Sequence, residues 1–279
     1  MTSREIGLRR ELDVAARLAR AAGDAAMAFY GSASAEIKKG GSPVTEADHA
    51  ANGVIVPGLR EAFPGDAILS EESRDDRSRL DARRVWIVDP LDGTKEFLAE
   101  NGEFSIMIGL VVDGEPVLGV VYLPDGDTLY RAAAGAGAWV ERDGRSERLE
   151  PAPARMDALR MVGSRSHSDP LIDAMSDALG VADVRPSGSV GIKCALIAAG
   201  ERDLYVHPVP YLKEWDTCAP EVILREAGGE VTDCRGDRLR YNKPDTRQPH
   251  GILATAPGIH GRVLDVIRPH YDAAESERA

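Results

Sequence analysis

The sequence predicts an α/β architecture of at least two layers: an N-terminal α+β half around an antiparallel sheet, then a C-terminal α/β half. Two observations predict it. Apolar residues recur at helical spacing up to about residue 62, then give way to short apolar runs bounded by charges or turn residues. Beyond about residue 156, strand-like and helix-like segments alternate, as they do in an α/β layer.

From 6 to 30, Leu8, Leu12, Ala15, Leu18, Ala22, Ala26 and Tyr30 line one helical face, closed by Gly31, Ser32 and Ser34. The polar loop KKGGSPVTEAD leads into a second helix, where Thr45 and Asp48 have the spacing of a capping box. Ala47, Ala51, Val54 and Leu59 lie on its buried face, and Pro64 with Gly65 stops it. AILS (67–70) and VWIVD (85–89) read as buried strands. SIMIGLVV (105–112), the Asp113-Gly114 turn and PVLGVVYL (116–123) form a hairpin, which TLYRAAA (128–134) and GAWVE (137–141) extend. PAPAR (151–155) marks the expected boundary, giving halves 1–155 and 156–279. Downstream follow strand LRMVG, helix PLIDAMSDAL, helix GIKCALIAAG, strand DLYVHP, helix APEVILREAG and strands GEVTD and GILAT. A last helix is expected over 258–271, with the tail DAAESERA frayed.

At 279 residues the chain has room for one large domain or two modest ones. Its 34 basic and 46 acidic residues give a net charge of −12, a surface that repels nucleic acid, anionic membranes and free phosphorylated metabolites. Phosphate chemistry therefore needs a local cation, either a metal or a well-placed Lys or Arg. Cys194, Cys218 and Cys234 are too scattered for a disulfide framework or a zinc site and read as buried thiols of a reducing compartment. The first residues lack the apolar core of a signal peptide, and no apolar run approaches the ~18 residues of a membrane span. The expectation is a soluble, cytoplasmic protein.

VWIVDPLDGTKEF (85–97) carries the strongest chemical signal. A strand delivers Asp89 to its exposed end, Pro90 forces a turn, and Asp92 follows before Gly93. Two carboxylates three apart on a tight turn converge, with the Leu91 carbonyl between them; such hard oxygens suit Mg²⁺ or Mn²⁺. Asp-Pro and Asp-Gly each also favour plain turns. Glu71 leaves AILS at the same kind of edge, whereas Glu72, Asp75 and Asp76 read as a solvated loop. By itself Asp216, in EWDTCAPEV, reads as a helix N-cap, Asp48 equally as the acid of a capping box, and Thr94 as a turn hydroxyl. Together these residues supply carboxylates from four segments, the inventory of a metal cage.

VTEADHAAN, ILSEES, WIVDPLDGTKEF and EWDTCAPEVILREAGG resemble the inositol-monophosphatase superfamily of Mg²⁺-dependent, lithium-sensitive phosphomonoesterases. The resemblance runs from about Glu5 to Thr255, and DPLDGT with a distant WD is its most specific part. DGTKEF, GSRSHS, WDTCAPEVIL and LRYNK are similar to the 3′(2′),5′-bisphosphate nucleotidase branch, which converts 3′-phosphoadenosine 5′-phosphate to AMP and phosphate. The resemblance implies a layered α/β/α/β/α sandwich with the site in the cleft between its halves. It implies that Glu71, Asp89, the Leu91 carbonyl, Asp92 and Asp216 hold two or three Mg²⁺ ions, with Mn²⁺ as a substitute. Asp48 and Thr94 would polarise the attacking water. Gly93, Thr94, Ser164, His167, Ser189 and Lys193 would bind the substrate, Lys193 gripping the second phosphate; some relatives carry Gly where Ser189 stands. Without the family, His167 reads as a surface hydrogen-bonder and Lys193 as a solvated helix residue.

The implied partner is a small nucleotide, with no nucleic acid or membrane, bound by a monomer or homodimer. Two rival readings are an inositol monophosphatase and a non-catalytic nucleotide- or metal-binding protein. Lys193 and GSRSHS oppose the first, and the complete acidic set with Thr94 opposes the second. There is no P-loop, H-E-x-x-H helix or G-x-S-x-G elbow.

Overall fold

The computed structural model describes residues 7–37, 43–166 and 169–278. Its elements in chain order are α1 (Arg9–Met27), β1 (Ala35–Ile37), β2 (Pro43–Thr45), α2 (Glu46–Ala62), β3 (Ala67–Ser70), β4 (Arg84–Asp92) and α3 (Thr94–Leu98). β5 (Ser105–Val112), β6 (Glu115–Leu123), β7 (Thr128–Ala133), β8 (Gly137–Arg142) and β9 (Arg145–Arg148) follow. The remainder is β10 (Arg160–Ser164), α4 (Pro170–Ala178), β11 (Asp183–Ser187), α5 (Val190–Ala198), β12 (Leu204–His207), α6 (Glu214–Glu226), β13 (Glu230–Thr232), β14 (Ile252–Thr255) and α7 (His260–Arg278).

β3 to β9 form a seven-stranded sheet in sequence order, antiparallel except that β3 and β4 run parallel. β11-β10-β12-β14-β13 form a five-stranded mixed sheet. Strand alternation sorts the side chains into layers. One face of the larger sheet (Trp86, Val88, Ile106, Ile108) packs on α1 and α2 through Leu18, Ala22, Ile55 and Leu59. Its other face (Ile87, Met107, Val121) meets α5 and α6, which also bury Tyr205, Ile252 and Ala254 of the smaller sheet. α4 and α7 cover the far face of that sheet through Met175, Val263 and Ile267. The result is the α/β/α/β/α sandwich. α6 lies so close to the larger sheet that a Cβ at Gly109 would come within 2.5 Å of the Cys218 sulfur and 3.2 Å of the Ala219 nitrogen.

The structure departs from the sequence reading at several elements. Part of the loop before α2 pairs as the β1–β2 ribbon. β4 continues through Pro90 to Asp92, with its register slipping between Asp89 and Asp92, so Asp89 is buried and not at an exposed strand end. β9 and β11 add edge strands. α6 begins at Glu214, before Pro220, so that proline sits inside the helix. α7 runs through the tail to Arg278, with Tyr271 buried and Glu275 paired to Arg235. No helix among the described residues is long and apolar enough to cross a membrane. The three cysteines are free and buried, and burial pushes the Cys194 thiol up to about 12.

Candidate active site

Because β3 and β4 are parallel, with Ser70 opposite Val88, the residues leaving their C-terminal ends emerge side by side. The Glu71 amide bonds the Val88 carbonyl at 3.2 Å, which seats Glu71 next to Asp89. Pro90 has no N–H for the ladder, and the chain bulges there, re-aiming Asp92. The Leu91 amide donates to Asp89 Oδ1 at 3.0 Å, closing the turn. From the opposite side, the first turn of α6 supplies Asp216, whose Oδ2 accepts the Lys213 amide at 2.6 Å. Asp216 is thus the N3 acid that caps the Lys213 amide, and not the N-cap itself.

Oxygens of Asp89, Asp92 and Asp216 lie within 4.8 Å of one another. Burial, then the charges of Glu71, Asp92 and Asp216, push the Asp89 carboxyl well above the usual range. Asp216 is raised in the same way, by burial and then by Asp92 and Glu71. Like charges gathered in a low-dielectric recess call for a cation. Glu71 and Leu91 face the same recess, so all five expected ligand residues line one cavity of about 710 Å³.

Asp48 and Thr94 meet beside it. Asp48 Oδ2 accepts the Thr45 amide at 2.8 Å and the Thr45 hydroxyl at 2.7 Å, and Oδ1 accepts the Thr94 hydroxyl at 3.1 Å. The capping box expected at α2 is therefore present, and its acid also reaches the cavity wall through Thr94. Gly93 takes φ 102°, and a Cβ there would lie 2.9 Å from the Glu103 carbonyl oxygen, so only glycine fits without strain.

Gly93, Thr94, Ser164 and Lys193 line the cavity. Lys193 is 2% exposed, not a solvated helix residue. Its ammonium donates to the Ser187 carbonyl at 3.3 Å and to that of Gly188, and lies 5.2 Å from the Tyr205 ring centre. Burial lowers its pKa, and the Asp92 charge counteracts this. Ser189 lies beneath the wall, its hydroxyl on Asp92 Oδ2 at 2.6 Å. His167 falls outside the described residues. Asp75, expected in a solvated loop, pairs with buried Arg79 at 3.0 Å.

The cavity also takes in Glu96, His207, Tyr211, Trp215 and Arg247, which the sequence reading had not selected. Glu96 and Trp215 stand inside quoted motifs, so proximity to a ligand was a usable signal; Tyr211 and Arg247 come from loops without one. Glu96 accepts the Ser166 hydroxyl, tying α3 to the loop after β10.

Comparison with known proteins places the chain among relatives of the same fold. The chain is 42% identical over 248 residues to the 3′(2′),5′-bisphosphate nucleotidase CysQ of Salmonella typhimurium, covering 88% of this chain and 99% of that protein. It is 30% identical over 226 residues to the inositol-1-monophosphatase of Bacillus subtilis, covering 80% and 82%. The crystal structure of CysQ from Bacteroides thetaiotaomicron superposes with a TM-score of 0.78 at 34% identity, covering 91% of this chain and all of that one. The inositol monophosphatase family model matches residues 8–270, and with this match and the same fold the chain belongs to the inositol monophosphatase family.

Proposed function

We propose that the chain hydrolyses the 3′-phosphate of 3′-phosphoadenosine 5′-phosphate, giving AMP and phosphate, and also accepts the 5′-phosphosulfate analogue. The observation that carries this reading is the cavity that joins Asp89, Asp92 and Asp216 to a buried lysine, Lys193. The likeness to proteins named bisphosphate nucleotidases supports the nucleotide as substrate. The hard oxygen donors and the crowding of Asp89 and Asp216 fit Mg²⁺, held by Glu71, Asp89, the Leu91 carbonyl, Asp92 and Asp216 as two or three lithium-sensitive sites, with Mn²⁺ as a substitute. Bound there, the ions would supply the positive field that neutralises a phosphate dianion and lowers the pKa of water.

The chain does the rest. Thr94 donates its proton to Asp48, leaving lone pairs that orient a water, and Asp48 is fixed by both bonds from Thr45. A proton leaving that water passes through the Thr94 hydroxyl to Asp48. Gly93, whose positive φ and close approach to the Glu103 carbonyl only glycine allows, shapes the turn that lines the cavity where the reacting phosphate would sit. Lys193 takes the second phosphate, while Ser164 and His167 hold the nucleotide. The halves divided near residue 155 contribute the two walls of this cleft, most metal ligands from the first and Asp216 with Lys193 from the second.

Hydrolysis of inositol monophosphate is the second reading, favoured by the Bacillus relative and opposed by the buried Lys193. Phosphate release from the bisphosphate nucleotide, measured with Mg²⁺ and with EDTA, tests the proposal. Release is expected only with Mg²⁺ and is expected to fall about 10²-fold or more in Asp92→Asn; release that persists in EDTA would remove the metal reading.

A further inference from the structure

We infer that Ser189 is a positioning residue for Asp92, backed by Ser105, and not a contact for the nucleotide. The inference rests on the proposed metal site, and the hydrogen-bond capacity of one hydroxyl carries it. A serine hydroxyl has one proton and two lone pairs. An ionised Asp92 only accepts, so the bond of 2.6 Å to its Oδ2 uses the Ser189 proton. The Ile192 amide, at 3.2 Å, takes one lone pair. The Ser105 hydroxyl, at 2.7 Å, must then be the donor and takes the other. Every bond that Ser189 can make is spent inside the protein, and both serines are buried, Ser105 at 0% and Ser189 at 1% exposure.

The same carboxylate oxygen also receives the Val190 amide at 2.6 Å and the Gly191 amide at 3.2 Å. Asp92 Oδ2 is therefore saturated by the N-terminus of α5 and a hydroxyl, which leaves Oδ1 as the oxygen available to a cation. Fixing one oxygen fixes the rotamer, so the cage holds its geometry before an ion arrives. Ser189 also anchors the turn that bears Lys193, whose amide bonds the Ser189 carbonyl at 3.2 Å. One side chain thus sets the spacing between a metal carboxylate and the lysine.

Calorimetric Mg²⁺ binding to the substrate-free chain tests this, with the wild type, Ser189→Ala, Ser105→Ala and the double variant, alongside KM for the nucleotide at saturating Mg²⁺. Ser189→Ala is expected to bind Mg²⁺ about tenfold more weakly, and Ser105→Ala by less than that. The double variant is expected to be no worse than Ser189→Ala, and the nucleotide KM to stay within about twofold. Ser189→Gly, a residue accepted at a helix N-cap, gives the same reading if the alanine variant folds poorly. Wild-type Mg²⁺ affinity in Ser189→Ala, or a raised KM without loss of Mg²⁺ affinity, would overturn the inference. A wild-type chain that binds no Mg²⁺ would overturn the metal site itself, and this inference with it.

Discussion

Asp48 stabilises the start of α2 and accepts the Thr94 hydroxyl, so one carboxylate ties the fold to the wall of the candidate site. Thr94→Ala removes the link between water and Asp48 and nothing from the metal cage. It is expected to lower kcat about 10²-fold or more with little change in KM; a parallel rise in KM would make Thr94 a binding residue instead. Lys193→Ala is expected to reduce kcat/KM for the bisphosphate nucleotide at least tenfold more than for a simple monophosphate, because only the former carries a second phosphate. Equal losses on both substrates would make Lys193 a structural residue. That Glu71, Asp89 and Asp92 gather at one cavity was legible because the motifs place acids just after β3 and at the last residues of β4. The burial of Lys193 was not legible: every residue of α5 is buried, so the helix shows no polar face by which a lysine is recognised as internal.

The α2 capping box shows how an element's end sets a side chain. Thr45→Ala deletes the hydroxyl bond to Asp48 as well as the cap to Ala47. It is expected to cost about 1 kcal/mol in denaturant unfolding and to lower kcat. Unchanged kcat would mean that the residue 45 amide and Thr94 hold Asp48 well enough without the hydroxyl. The parallel β3–β4 pair does comparable work, since an antiparallel partner would have carried Glu71 to the opposite edge. Buried strands and amphipathic helices announced themselves through apolar period. β9 and β11 did not, being almost wholly exposed edge strands, one of them holding Pro186. The end of α7 was hidden because its last turns are charged and interrupted by Pro269; contacts from Tyr271 and Glu275 to distant residues hold it in helix.

The larger sheet, the α5 and α6 layer and the smaller sheet meet at one acidic recess, so cation binding, pH and stability are expected to be linked there. Burial and like charge raise Asp89 and Asp216, so without metal the folded chain keeps protons that the unfolded chain releases above about pH 4. Fewer protons on the unfolded state means that this contribution to stability falls as pH rises through that window. Mg²⁺ requires both groups ionised and expels those protons, so its stabilising effect is expected to grow as the pH rises above the ordinary carboxylate range. At about a hundred times its dissociation constant the gain is ~2.7 kcal/mol, several degrees in Tm. Thermal melts with Mg²⁺ and with EDTA check this; a Tm gain that does not change with pH would mean that protons and metal do not compete at the recess.

The most direct measurement compares kcat/KM for 3′-phosphoadenosine 5′-phosphate and inositol 1-phosphate with Mg²⁺ present. Turnover favouring the nucleotide by at least about tenfold, and abolished by EDTA, is the expected result. A preference for inositol 1-phosphate would contradict the roles given to Lys193 and Ser164 while leaving the acidic cage in place, and no phosphate from either substrate would contradict the proposed activity altogether.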